Sequence, residues 1–178
     1  MRLFIAIRFS PFLIRRLREA VDSLGRQAAS AHLTRPENLH LTLAFIGEAD
    51  DIAPICRVMD AAAPRRPFGI TVGGAGRFGD LWWAGLQDCP ALTALACRLG
   101  QGLRQAGYAI EKRPFRPHIT LARRVVAHRP IRLEIPFTEM TVNHISLMES
   151  RRVEGTTRYT EVYRRPFLPK GQGLAMKG

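Results

Sequence analysis

The sequence predicts strands and helices folded as two similar lobes, and three observations carry that expectation. An amphipathic helical stripe follows a short apolar strand near the start. Two apolar strands each carry a histidine and a threonine two positions apart, at His40/Thr42 and His118/Thr120. Slid by 78 positions, the chain matches itself over nearly 40 residues in the same strand–helix–loop–strand grammar. In that gapless match Leu3 falls on Leu81, Ala6 on Ala84, Ser10 on Asp88, Leu17 on Leu95 and Pro36 on Pro114. Leu41-Thr42-Leu43-Ala44 then falls on Ile119-Thr120-Leu121-Ala122.

"RLFIAI" reads as a short buried strand. "SPFLIRRLREAVDSLGRQAAS" reads as a helix, with Ser10 as N-cap, whose side chain can satisfy a free amide, and Pro11 in the first position, where no amide is lost. Leu13, Leu17, Val21, Leu24 and Ala28 recur at three- and four-residue steps and face a core. The turn formers of "TRPEN" lead into the strand Leu39–Ile46. Asp51 caps a second helix that buries Ile52, Ile55, Met59 and Ala62. "FGITVGGAG" and "LWWAGL" are strands separated by a glycine-rich turn. A third helix from Asp88 turns Leu92, Leu95, Leu99 and Leu103 inward and stops at Gly107. The strand His118–Val126 follows, then "TVNHISLMES" and "TTRYTEVYRR" as two more strands. The expected organisation is one two-lobed domain over residues 1–169 and a flexible tail over 170–178.

A chain of 178 residues is long enough to bury a core. No apolar run approaches the roughly 20 residues of a membrane helix. Arg8 interrupts the apolar start, and no small-residue cleavage site follows, so a secretory leader is not expected and a cytoplasmic protein is. Cys56, Cys89 and Cys97 are odd in number and lack CxxC spacing, which fits reduced core residues better than disulfides or a zinc site. The net charge of +12 points to an anionic partner such as nucleic acid. The excess is nearly all Arg, with Lys at 112, 170 and 177 alone, so codon bias is a competing source of it and charge by itself names no function.

Side chains alternate across a strand, so His40 and Thr42 share a face opposite Leu41, Leu43 and Phe45, and His118 and Thr120 share one opposite Ile119 and Leu121. Phe45 accordingly reads as core. Two lobes related by an approximate two-fold would present both imidazole–hydroxyl pairs across a cleft. That arrangement suits phosphoryl transfer without a metal. One neutral imidazole takes a proton from water, and the other, protonated, gives one to the leaving oxygen. Threonine hydroxyls donate to the non-bridging phosphate oxygens. His32-Leu33-Thr34 repeats the pattern but runs into Arg35-Pro36 and reads as coincidence. "HISL" at His144, with Ser146 in place of Thr, reads as a strand decoy. A structural histidine or a metal ligand is the competing reading for each motif, and the paired repeat and the lack of a carboxylate partner weigh against both. Trp82 and Trp83 face opposite ways, so one can stack a base while the other fills a core.

"RLFIAI", "PENLHLTLAFIGE", "LWWAGL" and "FRPHITLAR", with "LMES" and "EGTTRYTEVYRRPF" near the end, resemble the RNA 2′,3′-cyclic phosphodiesterases of the 2H phosphoesterase superfamily, historically called 2′-5′ RNA ligases. The resemblance runs from Met1 to about Phe167. It implies an α+β, bilobal fold with two antiparallel sheets lining a central cleft and helices outside. It implies hydrolysis of an RNA 2′,3′-cyclic phosphate end to a 2′-phosphomonoester, with no metal and no cofactor, and nothing in it demands more than a monomer. Carried over, His40 would be the proton donor and His118 the proton acceptor, though the near-symmetry of the motifs leaves the direction open. Thr42, Thr120 and Arg123 would bind the phosphate. Strict alternation puts Arg123 on the face opposite His118, so its role requires a twist or bulge, and Arg124 is the alternative. Ala44 stands where relatives often carry a basic residue, which would weaken the grip of that lobe. Ligation to a 5′-hydroxyl, another small cyclic nucleotide, or RNA binding without catalysis are the competing functions.

Overall fold

The computed structural model describes residues 1–168, so the expected tail over 170–178 lies outside the described residues. Nine strands and three helices are present there. In chain order they are β1 (Arg2–Arg8), α1 (Pro11–Gln27), β2 (Ser30–Leu33), β3 (His40–Glu48), α2 (Ala53–Ala62), β4 (Phe68–Phe78), β5 (Leu81–Leu86), α3 (Pro90–Gln105), β6 (Ile119–Val126), β7 (Thr138–Val142), β8 (His144–Val153) and β9 (Thr156–Pro166). They form two antiparallel sheets, one ordered β3-β1-β8-β9 and the other β2-β6-β5-β4-β7. The fold is α+β, with β3, which begins at His40, in one sheet and β6, which directly follows His118, in the other. No described helix is long and apolar enough to cross a membrane.

The helices tie the sheets together. α1 follows β1 of the first sheet but packs on β2, β6 and β7 of the second. α3 follows β5 of the second sheet and packs on β3 of the first and on α2. Each lobe therefore borrows the other's helix, and one continuous core joins Leu3, Ile5, Ile7 and Leu41 to Ile70, Val72, Ile119 and Leu121. At about 1.5–3 kcal/mol per fully buried aliphatic side chain, that shared core holds the cleft walls in a fixed relation.

Local chemistry explains the helix limits. The Leu13 amide donates to Ser10 Oγ at 3.3 Å, and Pro11 opens α1, as expected. Leu13, Leu17, Val21 and Leu24 are buried, joined by Ala20. The helix stops at Gln27, short of its expected end, because residues 30–33 pair with β6 as an edge strand. The N-cap of α2 is Ile52, one residue later than expected, and Asp51 just before it accepts from the Ala53 amide through Oδ1 at 2.9 Å. α3 begins at Pro90 after Cys89 rather than at Asp88, and Cys89 makes no side-chain cap. Gly107, at φ +92°, ends it: the Tyr108 amide reaches Leu103 O at 3.0 Å and the Gly107 amide reaches Arg104 O at 3.0 Å.

Three further expectations are corrected. The glycines of "FGITVGGAG" lie inside β4 rather than in a turn; a Cβ at position 76 would overlap the Trp83 indole, and the chain turns at Gly79-Asp80. "TVNHISLMES" is two strands in different sheets, broken at Asn143. Of the three free cysteines, Cys56 and Cys89 are half-buried, whereas Cys97 is exposed and is no core residue.

Strand pairing and helix burial place the matched segments at three slightly different offsets. Thr42 pairs with Ala6 and Thr120 with Trp83, so β1 and β5 correspond at an offset of 77. The buried set Leu13, Leu17, Ala20, Val21 and Leu24 of α1 maps onto Leu92, Ala96, Leu99, Gly100 and Leu103 of α3 at an offset of 79. The histidine strands keep 78. A gapless match cannot show this, because one-residue slips in the connecting turns leave apolar periodicity nearly unchanged.

Candidate active site

β3 and β6 approach within 8 Å between Cα atoms although they belong to different sheets. Each histidine is fixed by the same local device. His40 Nδ1 donates to the Asn38 carbonyl at 2.7 Å, and His118 Nδ1 donates to the Arg116 carbonyl at 2.8 Å. In both, the acceptor lies two residues before the ring, so the Nδ1–H tautomer leaves Nε2 as the working nitrogen. The carbonyl partners were missed in the sequence, and the signal for them was the extension of the repeat backward to residues 38 and 116.

The two sites then diverge. His40 Nε2 accepts from Thr42 Oγ1 at 3.0 Å. The ring lies 4.9 Å from Phe4 and edge-on to Tyr159 at 5.2 Å. Burial among these groups lowers its pKa below the ordinary 6.5; the Asn38 carbonyl opposes that, and the Arg123 guanidinium reinforces it. His118 is half-buried and meets the edge of Phe78 at 5.4 Å. Phe78 in turn rests on Trp83, 5.3 Å away. Trp83 is the strand partner of Thr120, and its indole Nε1–H is buried with no acceptor among the described residues. Trp82 and Trp83 do face opposite ways: Trp82 packs against the main core, and Trp83 packs against Phe78 beside His118.

A β-bulge settles the place of Arg123. Trp82 pairs with Ala122 while Trp83 pairs with Thr120, which leaves Leu121 as the extra residue. Leu121 and Ala122 are therefore both fully buried, and Arg123 returns to the exposed face that carries His118 and Thr120. Its charge reaches His40 across the cleft. Arg124, the choice under strict alternation, instead has a left-handed backbone at φ +53° and lies where the pairing with β2 slips again. His32, which reads as coincidence in the sequence, lies on β2 directly opposite Arg123.

The same bulge occurs in β3. Ile5 pairs with Ala44 and Ala6 with Thr42, so Leu43 is extra, and Leu43 and Ala44 are both buried. Two expectations fall here. Phe45 is not core; it is 50% exposed, with the Arg2 guanidinium 5.2 Å from its ring centroid. Ala44 is 7% exposed, so a departure at that position does not touch the cleft. The position equivalent to Arg123 is Phe45. Two consecutive apolar residues after each threonine, "TLAF" and "TLAR", were the signal for both bulges.

Two imidazoles on fixed tautomers, each two residues before a threonine, with the Arg123 charge acting on one of them, are groups capable of acid–base chemistry. Among the described residues, no three His, Cys, Asp or Glu side chains gather as a metal-binding group. The chain belongs to the 2′-5′ RNA ligase superfamily, whose sequence profile matches residues 8–154. A curated relative from Escherichia coli K12, an RNA 2′,3′-cyclic phosphodiesterase, is 34% identical over 72% of this chain and 75% of its own length. One of the same name from Geobacillus stearothermophilus is 29% identical over 90% of this chain, which spans 57% of that longer relative. Among solved structures, a Thermus thermophilus protein superposes with a TM-score of 0.84 at 26% identity, covering 96% of this chain and all of its own. Escherichia coli LigT complexed with 3′-AMP superposes with a TM-score of 0.79 at 27% identity, covering 93% of this chain and 97% of that one.

Proposed function

We propose that this chain hydrolyses RNA 2′,3′-cyclic phosphate ends to 2′-phosphomonoesters by a two-histidine acid–base mechanism. The observation that carries the reading is the matched pair of carbonyl-locked histidines, His40 and His118, on strands that approach each other from different sheets. The activity borne in the names of the relatives supports it. His118 takes a proton from water as its oxygen bonds to phosphorus. The bond from phosphorus to the 3′ oxygen breaks, and His40 delivers a proton to that oxygen. Thr42, Thr120 and Arg123 hold the non-bridging oxygens, where negative charge must be stabilised. Both strands come from one chain, which supports action as a monomer, and three unbridged cysteines support a reducing, cytoplasmic setting. Ligation of a cyclic phosphate to a 5′-hydroxyl is the reverse-type reaction of the same groups, with the hydroxyl in place of water.

One observation favours a second assignment of roles. A lowered pKa keeps His40 neutral in the free protein, as a base requires. A bound phosphate would offset the Arg123 charge and draw a proton onto His40, which restores it as the acid.

The test uses a short RNA ending in a 2′,3′-cyclic phosphate, with EDTA present, followed by phosphorus NMR. The expected product is the 2′-phosphate, with His40→Ala and His118→Ala each slower by about 10²–10⁴-fold. Turnover that survives either change sinks the mechanism. A phosphodiester with a p-nitrophenolate leaving group separates the roles, since that group departs without a proton. The variant it spares has lost the acid.

A further inference from the structure

We propose that Arg8, His144 and Arg164 form a second phosphate subsite, which receives the phosphodiester on the 5′ side of the terminal nucleoside. The enzyme would thereby favour oligonucleotide ends over free cyclic mononucleotides. This rests on the function proposed above.

A cavity of about 270 Å³ opens at one end of the first sheet, walled by Arg8, His144 and Arg164, with Asn143, Ser10 and β7 behind them. Arg8 pairs with His40 across β1 and β3, and direct strand partners point to one face. Neighbouring strands lie about 4.8 Å apart, so the corner begins one strand from His40. The next row repeats the placement: Thr42 pairs with Ala6, Ala6 with Ser146, and Ser146 with Arg164. The corner is thus on the His40–Thr42 face. His144 and Ser146 are the "HISL" pair of the sequence, which the cyclic-phosphate chemistry does not use.

The charges suit an anion. Arg8 is exposed and has no carboxylate within ion-pair distance among the described residues. Arg164 is oriented by Glu161, whose Oε1 accepts from its Nε at 2.9 Å. Glu161 is itself held by the Ser146 hydroxyl, which donates to Oε2 at 2.6 Å. The guanidinium's terminal amino groups have no partner among the described residues and remain to meet a ligand. His144 Nδ1 bonds Asn143 Oδ1 at 2.6 Å, and the ring's pKa is lowered by burial, then by Arg164, with Glu161 opposing and Arg8 adding to the decrease. The fields of both arginines therefore converge on this ring, and one carboxylate does not cancel two guanidinium groups.

The test compares a mononucleoside 2′,3′-cyclic phosphate with a dinucleotide carrying the same cyclic end. Wild type should show kcat/KM about tenfold higher on the dinucleotide, the scale of one charge-assisted contact. Arg8→Gln should bring that ratio close to one, and Arg8→Lys should restore part of it. Arg57→Gln, an equal loss of charge on exposed α2, should leave the ratio as in wild type. A neutral methylphosphonate linkage should remove the preference in wild type, and added salt should reduce it. A ratio near one in wild type, or one that Arg8→Gln does not change, overturns the subsite. Failure of wild type to open either substrate overturns the proposed function instead. Dissociation constants of the matching 2′-phosphate mono- and dinucleotides then decide, and an Arg8→Gln protein that still prefers the dinucleotide ends the proposal.

Discussion

In β3 the histidine is packed against Phe4 and Tyr159, bonded through Nε2 to its own threonine and held below its ordinary pKa. Just ahead of β6 the second histidine, half-buried like the first, meets the edge of Phe78, and its Nε2 makes no hydrogen bond among the described residues. After matching bulges, the cleft position is Phe45 on one strand and Arg123 on the other. The repeat therefore supplies identical backbone devices, and side-chain differences split their chemistry. A symmetric pair would hold two rings of equal basicity; acid–base catalysis needs two that differ at one pH. Here burial and the Arg123 guanidinium lower the pKa of one ring, that of His40.

Arg123 is the sharpest place to break the asymmetry. Arg123→Gln removes the charge beside the phosphate and should slow turnover by about 10²–10³-fold, the scale of losing one preorganised donor. The same change removes a Coulombic cause of the lowered His40 pKa. The His40 midpoint, followed by NMR of the ring protons, should therefore rise toward 6.5. Slower turnover with an unmoved His40 midpoint would show that Arg123 grips substrate without setting the ring.

Much of this was legible in the residues. The α1 stripe, the Ser10 cap and the two H-x-T strands follow from periods of 3.6 and 2 that a single segment displays by itself. The bulges were not, because a bulge is a property of two strands in register. Alternation applied to β3 alone sends Phe45 into the core, and applied to β6 alone it sends Arg123 away from His118. The exchange of α1 and α3 between sheets was invisible for the same reason: an apolar stripe says that a face is buried, and is silent on which sheet buries it. The corner at Arg8 and Arg164 joins residues more than 150 positions apart, and no local pattern marks it.

The threonines offer a smaller contrast. Thr42 spends its hydroxyl proton on His40 Nε2 in the free protein, while Thr120 has no such bond among the described residues. Each valine substitution, Thr42→Val or Thr120→Val, should cost about ten- to thirtyfold in kcat/KM, the scale of a hydrogen bond to a charged group. Thr42→Val should do one thing more. A hydroxyl that donates to Nε2 stabilises the neutral ring, so its loss should raise the His40 midpoint. Thr120→Val should leave that midpoint in place, and equal movement in both variants would dissolve the distinction between the strands.

The smallest effect is on stability, and its sign follows from the direction of the shifts. His40 and His144 both have folded pKa values below 6.5, with burial the leading cause in each. Above about pH 6.5 both rings are neutral whether the chain is folded or not, and neither contributes a pH dependence. Below it the unfolded chain binds protons that the folded one refuses, so stability falls until the pH passes the folded values. Urea unfolding at pH 7.5 and 5.5 should therefore show the wild type weaker at the lower pH, in a window above the range where carboxylates titrate. His40→Gln should flatten part of that fall, and His40→Gln with His144→Gln more of it. A wild type equally stable at both pH values would mean that these rings take up protons as readily folded as unfolded, and the burial of His40 would then not be what separates the two strands.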